Sequence, residues 1–442
     1  VTLGFLGAIV VGTVLLATPW AAAGRPATPM QALFTATSAT CVTGLAVVDT
    51  EHFWTPFGQG VVLALIQVGG FGVMTVATLL GLLVSRRLGL RSRLLAAEST
   101  HSPGTGGTRS VLLGVLRFTL LCEGALAVWL TLWLRFGHHD SWGHAAWSGT
   151  FHAVSAFNNA GFSIYSDQLV RFVTDPMVCL PICLAVVVGG VGFPVWFELW
   201  RLSRRGAGGA ARAWRWSRWS VHTRLTLGTT ALLLVVGAVV MLAAEWGNPG
   251  TFGPLPVGGK VLAAVTQAVM PRTAGFNSVD IAEMNNGTWF FTDLLMFVGG
   301  GSAGTAGGIK VGTFAVLAFV IWSELRGDPD TTVVDRRLAP GTVRQAVAVA
   351  LLGVAAVVVP TLVMTVTTTA FSLDQMLYEV TSAFATTGLS TGITADLPGW
   401  HQLILIGLMF LGRLGPITLG TSLALRDRQR LYRLPETRTI IG

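Results

Sequence analysis

Charge is what this chain has least of. Only 11% of its 442 residues are charged, against 52% hydrophobic, and the mean hydropathy is +0.65. A soluble domain is about a quarter charged, so a soluble fold is excluded and an integral membrane protein is implied. Lysine is nearly missing. Lys260 and Lys310 are the only two, and the net charge of +8 comes from arginine. The arginines occupy short linkers between apolar runs, so the pI near 10.1 reads as membrane topology, with no nucleic acid as partner. Cysteine is also sparse: Cys41, Cys122, Cys179 and Cys183 fall in apolar segments with no CxxC pair, which argues against a disulfide framework. No pairing of carboxylates, or of nucleophile with base, is visible, and the chain reads as no enzyme.

What the chain has instead is long, continuous apolar runs, which argue for helices rather than a β-barrel. They recur as pairs: 1–20 and 57–84, 111–136 and 177–200, 224–246 and 290–323, 343–371 and 400–425. Each is near or above the roughly 20 residues that a helix needs to cross the hydrocarbon. The first begins at Val1 with no basic n-region and no small-residue cleavage site, so 1–20 is read as a span and not a signal peptide. Between the members of each pair lies a shorter stretch with Ser, Thr, Asn or His: 28–44, 144–161, 256–275 and 374–388. A half-length helix that enters and returns fits these better than a full crossing.

A phrase repeats at the end of each short stretch: SATCVTGL at 38–45, SAFNNAGF at 155–162, VMPRTAGF at 269–276 and SAFATTGL at 382–389. Its glycines, Gly44, Gly161, Gly275 and Gly388, are 117, 114 and 113 residues apart, so the repeat is the architecture. The expected fold is an all-α integral membrane protein of four helix–re-entrant pore helix–helix repeats around one pseudo-fourfold central pore, with eight transmembrane spans. Repeat 1 covers 1–84 (pore loop 28–45), repeat 2 covers 111–203 (pore loop 144–162) and repeat 3 covers 224–323 (pore loop 256–276, intramembrane loop 298–312). Repeat 4 covers 343–426 (pore loop 374–389), and 427–442 is a tail.

Charge orients the repeats. The linkers between them carry Arg86, Arg87, Arg91, Arg93 and Arg109, then Arg201, Arg204, Arg205, Arg212, Arg215, Arg218 and Arg224, then Arg326, Arg336, Arg337 and Arg344 against Asp328, Asp330 and Asp335. The tail adds Arg426, Arg428, Arg430, Arg433 and Arg438, whereas the opposite loops carry Asp49, Glu51, Asp167, Asp175, Asp280, Glu283, Asp374 and Asp396. Linkers and both termini are expected in the cytoplasm of a bacterium, with the chain multi-pass in the plasma membrane and its re-entrant loops opening outward.

A small cation crosses a membrane only if its lost water is replaced by equivalent oxygens, and rings of backbone carbonyls can supply them without a fixed charge that traps the ion. Inward-pointing carbonyls need unusual dihedrals, which glycine tolerates. Short helices aimed inward also turn their partly negative C-terminal ends toward the path. Asp49, Asp167 and Asp280, five or six positions past the glycines, would add negative potential at the outer mouth.

The phrases and their layout resemble the Trk/Ktr/HKT superfamily of potassium transporters over essentially the whole chain, most closely the Ktr-type membrane subunit. The resemblance implies a potassium selectivity filter lined by the backbone of Val42, Thr43 and Gly44, of Asn159, Ala160 and Gly161, of Thr273, Ala274 and Gly275, and of Thr386, Thr387 and Gly388. It also implies a homodimer on a ring of cytoplasmic nucleotide-binding regulatory subunits of the KtrA/TrkA kind. Potassium is then the transported ion, sodium a candidate activator, and no organic cofactor is called for. The alternative is a sodium-coupled or sodium-permeable transporter on the same scaffold. In some relatives serine replaces the first filter glycine and goes with sodium, and Gly44 argues for potassium.

Two further features lie beneath the expected filter. VGGGSAGTAGGIKVG at 298–312 holds seven glycines and cannot stay helical, because each costs roughly 1 kcal/mol against alanine. By resemblance it is a gating loop, comprising Gly299, Gly300, Gly301, Ser302, Gly304, Thr305, Gly307 and Gly308, with Lys310 just beyond. Ser302 and Thr305 are candidates to bond freed backbone groups. Arg413 is a charge deep in the last apolar run, where such residues usually face a cavity. By resemblance it projects into the pore beside the loop. The glycines at 299, 301 and 304 match GxGxxG, and 300, 302 and 304 match GxSxG, but neither soluble βαβ unit nor strand–turn–helix elbow surrounds them. Gly69, Gly70 and Gly72, and Gly189, Gly190 and Gly192, suggest close packing around the pore. His138, His139 and His144 with Asp140 read as an outer loop, not a metal site.

Overall fold

The computed structural model describes residues 2–87, 106–204, 215–333 and 336–425. Arg91, Arg93, Arg205, Arg212 and the tail 427–442 with Arg426 lie outside the described residues. Fourteen α-helices make up the described chain: α1 (Thr2–Leu16), α2 (Pro29–Cys41), α3 (Pro56–Arg87), α4 (Gly106–Gly137), α5 (Trp142–Phe157), α6 (Pro176–Val191) and α7 (Phe193–Arg204). The second half adds α8 (Val221–Glu245), α9 (Val257–Val269), α10 (Asn286–Phe297), α11 (Val311–Arg326), α12 (Pro340–Thr367), α13 (Leu373–Ala385) and α14 (Gly399–Leu425). The strands are a two-residue hairpin, β1 (Thr332–Val333) with β2 (Arg336–Arg337).

Among the described residues, three helices are long and apolar enough to cross a membrane by themselves, Leu112–Gly137, Val221–Glu245 and Pro340–Thr367. They turn their large apolar side chains outward: Leu121 is 70% exposed, Val239 61% and Leu351 66%. In water this would be unstable, and in lipid it is the expected face. The apolar run 177–200, read from the sequence as one span, is two helices. α6 and α7 meet at 94° around Gly192, whose φ of 97° ends the first and allows the second to start with Pro194 in its first turn. Likewise the run 290–323 is broken into α10 and α11 by the glycine-rich segment.

The four short helices α2, α5, α9 and α13 have 13, 16, 13 and 13 residues. At 1.5 Å per residue, about 20 Å for 13 residues, they stop short of a ~30 Å hydrocarbon core. Isolated helices of this length are marginal, and three of the four have a capped N-terminus, α9 starting after Pro256 without a side-chain cap. Thr28 with Gln31, and Ser372 with Gln375, form capping boxes, and Ser141 caps α5. Burial completes the work. Every residue of α13 from Tyr378 to Ala385 is buried, as is every residue of α2 from Phe34 to Cys41. Each short helix packs on the long helix before it in sequence, α2, α5 and α13 also on the one after, and each touches one from elsewhere: α5 touches α3, α9 touches α6, α13 touches α10, and α2 touches α14. Those four contacts close a circle.

Candidate functional site

The four repeated phrases meet inside that circle. Past each short helix the backbone turns left-handed: Val42, Asn159, Thr273 and Thr386 have φ of 56°, 59°, 70° and 53°. Two residues on, Gly44, Gly161, Gly275 and Gly388 have φ of 92°, 69°, 74° and 92°. A β-branched residue there is strained by about 1 kcal/mol or more, and three of the four are Val or Thr. Hydrogen bonds to the preceding helix offset the strain. Thr43 N donates to Ser38 O at 2.8 Å, Ala160 N to Ser155 O at 2.7 Å, and Thr387 N to Ser382 O at 2.8 Å. The serine hydroxyls of the first and fourth phrases also accept from Gly44 N at 3.1 Å and Gly388 N at 3.0 Å. In the third phrase Val269 replaces that serine, and Ala274 N and Gly275 N both reach Met270 O, at 3.0 and 3.3 Å.

The amides are thus spent on their own helices. Among the described residues, the carbonyls of Thr43, Ala160, Ala274 and Thr387 accept no hydrogen bond. Each lies where the next glycine has no side chain. A Cβ on Gly44 would collide with Ala160 O, on Gly161 with Ala274 O, on Gly275 with Thr387 O, and on Gly388 with Thr43 O. The same added atoms would stand 3.1 Å from Gly161 Cα, 2.8 Å from Gly275 Cα, 3.3 Å from Gly388 Cα and 3.0 Å from Gly44 Cα. Four backbones therefore touch in cyclic order, and only glycine permits the approach. The hydroxyls of Thr43, Thr273, Thr386 and Thr387 are buried without a partner in the protein. A cleft of about 440 Å³ opens above the ring, walled in part by Gly44, Gly275, Gly388 and Asp49.

The glycine-rich segment closes the opposite side. Its neck is a parallel bridge between Val298 and Ile309, with Gly299 N donating to Ile309 O at 2.9 Å. It then bonds to other elements: Gly301 N to Gly190 O at 2.8 Å and Thr305 N to Gly189 O at 3.2 Å. Gly300 and Gly304 admit Gly190 O where a Cβ would stand. Thr305 Oγ1 donates to Asn159 Oδ1 at 2.9 Å, and its carbonyl accepts from Arg413 Nη1. Gly307 lies against Thr386, whose hydroxyl a side chain at 307 would overlap. Lys310 Nζ turns back onto Ala306 O and Gly307 O. Gly308 has a φ of 62°. The segment therefore touches three of the four phrases, the second through Asn159, the fourth through Thr386 and the third through Arg272. Ser302 makes none of the backbone bonds expected of it among the described residues; Thr305 does, reaching Phe157 O at 3.4 Å.

Other groups were missed in the sequence. Arg272, only 6% exposed, donates from Nη2 to Gly299 O at 2.9 Å and so holds the segment's neck. It stands where the other phrases have Cys41, Asn158 and Ala385, and that misfit was the available signal. Glu123 accepts from Asn158 Nδ2 at 2.8 Å and Gln67 Nε2 at 3.2 Å, bracing the second phrase from behind. A lone carboxylate in an apolar run could have marked it. Glu379 gathers Ser390 Oγ at 2.6 Å, Thr391 N at 3.0 Å and Thr394 Oγ1 at 2.7 Å, tying α13 to the loop above the ring.

At the outer cleft only Asp49 of the three expected acids is in the wall. Burial works to raise its pKa, but hydrogen bonds from Ser166 and His52 outweigh that and hold it below the ordinary value. The Ser166 hydroxyl lies 2.5 Å and His52 Nδ1 2.8 Å from its Oδ2. Asp167 is paired with Arg171 at 2.6 Å, and Asp280 Oδ1 accepts from Ala282 N at 2.9 Å. His138 bonds Asp175 at 2.7 Å, and no three potential metal ligands group among the described residues.

Known proteins resemble the chain over its full length. The family described as TrkH, cation transport protein, matches residues 8–429. The Ktr system potassium uptake protein B of Bacillus subtilis is 39% identical over all of this chain and 95% of its own, and that of Vibrio alginolyticus is 37% identical, covering 100% and 94%. The potassium/sodium uptake protein NtpJ of Enterococcus hirae is 30% identical over 100% of this chain and 96% of its own. In fold, the potassium transporter TrkH from Vibrio parahaemolyticus superposes with a TM-score of 0.69 at 19% identity, covering 96% of this chain and 85% of that one. A ring of four unspent carbonyls in an apolar helical shell, with a family match across nearly every residue, leads to one conclusion: the chain belongs to the TrkH/Ktr family of potassium and cation transport proteins.

Proposed function

We propose that this chain carries potassium into a bacterial cell through the ring of Thr43–Gly44, Ala160–Gly161, Ala274–Gly275 and Thr387–Gly388, with the 298–312 segment as its gate. The observation that carries the reading is the cyclic collision pattern. Each glycine's missing side chain is the space occupied by the next phrase's carbonyl, so eight positions on four segments converge without any fixed charge. Left-handed residues at every second position, from Val42 to Gly44 and its counterparts, turn carbonyls that would alternate in a strand toward one side. A potassium ion stripped of water finds oxygens there, and an inside-negative potential contributes about 2.3 kcal/mol per charge per 100 mV.

The repeats 1–84, 111–203, 224–323 and 343–426 are proposed as four units around this axis, giving eight spans with α6–α7 and α10–α11 as broken ones. The arginine-rich linkers put both termini in the cytoplasm. Arg413 and Arg272 hold the gate shut by its carbonyls, and a cytoplasmic nucleotide-binding ring under a homodimer is the proposed device that releases it. The resemblance to a potassium/sodium uptake protein supports a second reading, in which sodium accompanies or activates transport. Rubidium-86 uptake into potassium-loaded liposomes separates the two. Block by external potassium but not sodium, lost in Gly161→Asp, supports the first; equal competition by sodium supports the second.

A further inference from the structure

Two linkers that the ion path does not use close over a separate cleft of about 650 Å³. One wall is the 216–220 turn with the first turn of α8. The others are Glu198 on α7 and Arg336 on β2. The lining holds Arg218, Arg224, Arg336 and His222 against one carboxylate. That carboxylate is already committed: Glu198 accepts from Ser220 N, Ser220 Oγ and Thr223 Oγ1, each at 2.6 Å. Arg224 is also committed, donating to Trp216 O at 2.9 Å and Ser217 O at 2.8 Å, and so it fixes the turn that presents Arg218. Asp330 is taken by Arg337 at 2.8 Å. Among the described residues neither Arg218 nor Arg336 has an ion-pair partner.

The cleft lies at a membrane boundary, because α8 starts at Val221 and runs from there as a span. α7, bent 94° from α6, reaches that boundary at Glu198, which accepts from Ser220 just before α8; it buries Phe193, Val195 and Leu199 and carries Arg201 and Arg204 at its end. Trp216, in the turn that forms one wall, and Trp200, two residues past Glu198 on α7, stand 49% and 52% exposed, with the Arg204 guanidinium 4.2 Å over the Trp200 ring. Exposed indoles with arginines mark the headgroup level, and basic pockets between helices on this side suit anionic headgroups.

We propose that this cleft binds the phosphate headgroup of an anionic phospholipid, held by Arg218 and Arg336. A soluble phosphate would need only the arginines; the exposed tryptophans at the same level are what select a lipid. Since the two arginines come from different linkers, and β2 follows α11 and thus the gate segment, a bound lipid ties the 216–220 turn to the chain leaving the gate. The leaflet is the cytoplasmic one under the orientation proposed above.

The test is native mass spectrometry of the full-length protein in detergent, titrated with dioleoyl phosphatidylglycerol or dioleoyl phosphatidylcholine. Phosphatidylglycerol should bind about tenfold more tightly than phosphatidylcholine, and Arg218→Gln/Arg336→Gln should abolish that preference. The single exposed change Arg336→Gln should give an intermediate loss with an unchanged melting temperature, and Arg201→Gln, outside the cleft, should change nothing. Equal binding of the two lipids, an unaltered preference in the folded Arg336→Gln protein, or displacement by millimolar inorganic phosphate would each overturn the proposal. The assay needs no transport, so a failure of the potassium reading leaves its outcome intact.

Discussion

The ring and the glycine-rich segment beneath it are both built on glycine, for opposite reasons. At the ring, the backbone amides bond to the helix just before them: Thr43 to Ser38, Ala160 to Ser155, Thr387 to Ser382. Such bonds form with the helix and are lost only with it. In the 298–312 segment the contacts run to distant elements: Gly301 to Gly190, Thr305 to Asn159, Arg413 to Thr305 and Arg272 to Gly299. Each of these can be exchanged for another partner without unfolding a helix. The ring is therefore fixed by local structure and the segment by long-range polar contacts, and motion is expected in the second.

The comparison breaks most visibly at the ring. Gly161→Ala puts a Cβ 2.7 Å from Ala274 O and 2.8 Å from Gly275 Cα. With strain of about 2–3 kcal/mol, rubidium-86 uptake should fall on the order of 100-fold. Unchanged uptake would remove the ring from the path. Next is Arg413→Gln, which removes a charged donor to the Thr305 carbonyl of the proposed gate. A bond of this type is worth about 1.5–3 kcal/mol, so uptake without any partner subunit should rise about tenfold or more; a fall would make Arg413 a support of conduction instead. Thr305→Val cuts the bond to Asn159 and leaves the Arg413 contact to the backbone, so the rise should be smaller, about threefold, read in the same assay.

The smallest effect is one of pH. A hydrogen bond to Asp49 raises the pKa of His52 above its usual 6.5. The pairing is complete below 6.5 and is lost as pH rises through the higher value of the folded protein. Rising pH then uncovers the Asp49 charge in the outer cleft. Uptake at low ionic strength should increase about twofold between about pH 6 and pH 8, and this should vanish in His52→Gln or in high salt. A slope that survives both would assign the titration elsewhere.

The four phrases were legible because they are periodic. Their glycines, and the short helices before them, could be placed within a few residues from spacing and polarity alone. The break between α10 and α11 was legible because no helix survives the glycines at 299–301, 304, 307 and 308. The contacts between elements were not. Arg272 reads in sequence as one more residue of a turn, and its hold on Gly299 depends on how α9 meets the end of α10. The bend at Gly192 was hidden inside an apolar run of span length, where hydropathy has no direction. Asp49 and Asp167 look alike in sequence, but an arginine one helical turn on, Arg171, pairs with the second and leaves the first in the cleft.

The most direct measurement is anomalous diffraction from crystals grown with rubidium in place of potassium. Density on the axis within coordinating distance of the Thr43, Ala160, Ala274 and Thr387 carbonyls is the expected result. Rubidium bound elsewhere in a transport-competent preparation, with no density between those four carbonyls, would contradict it.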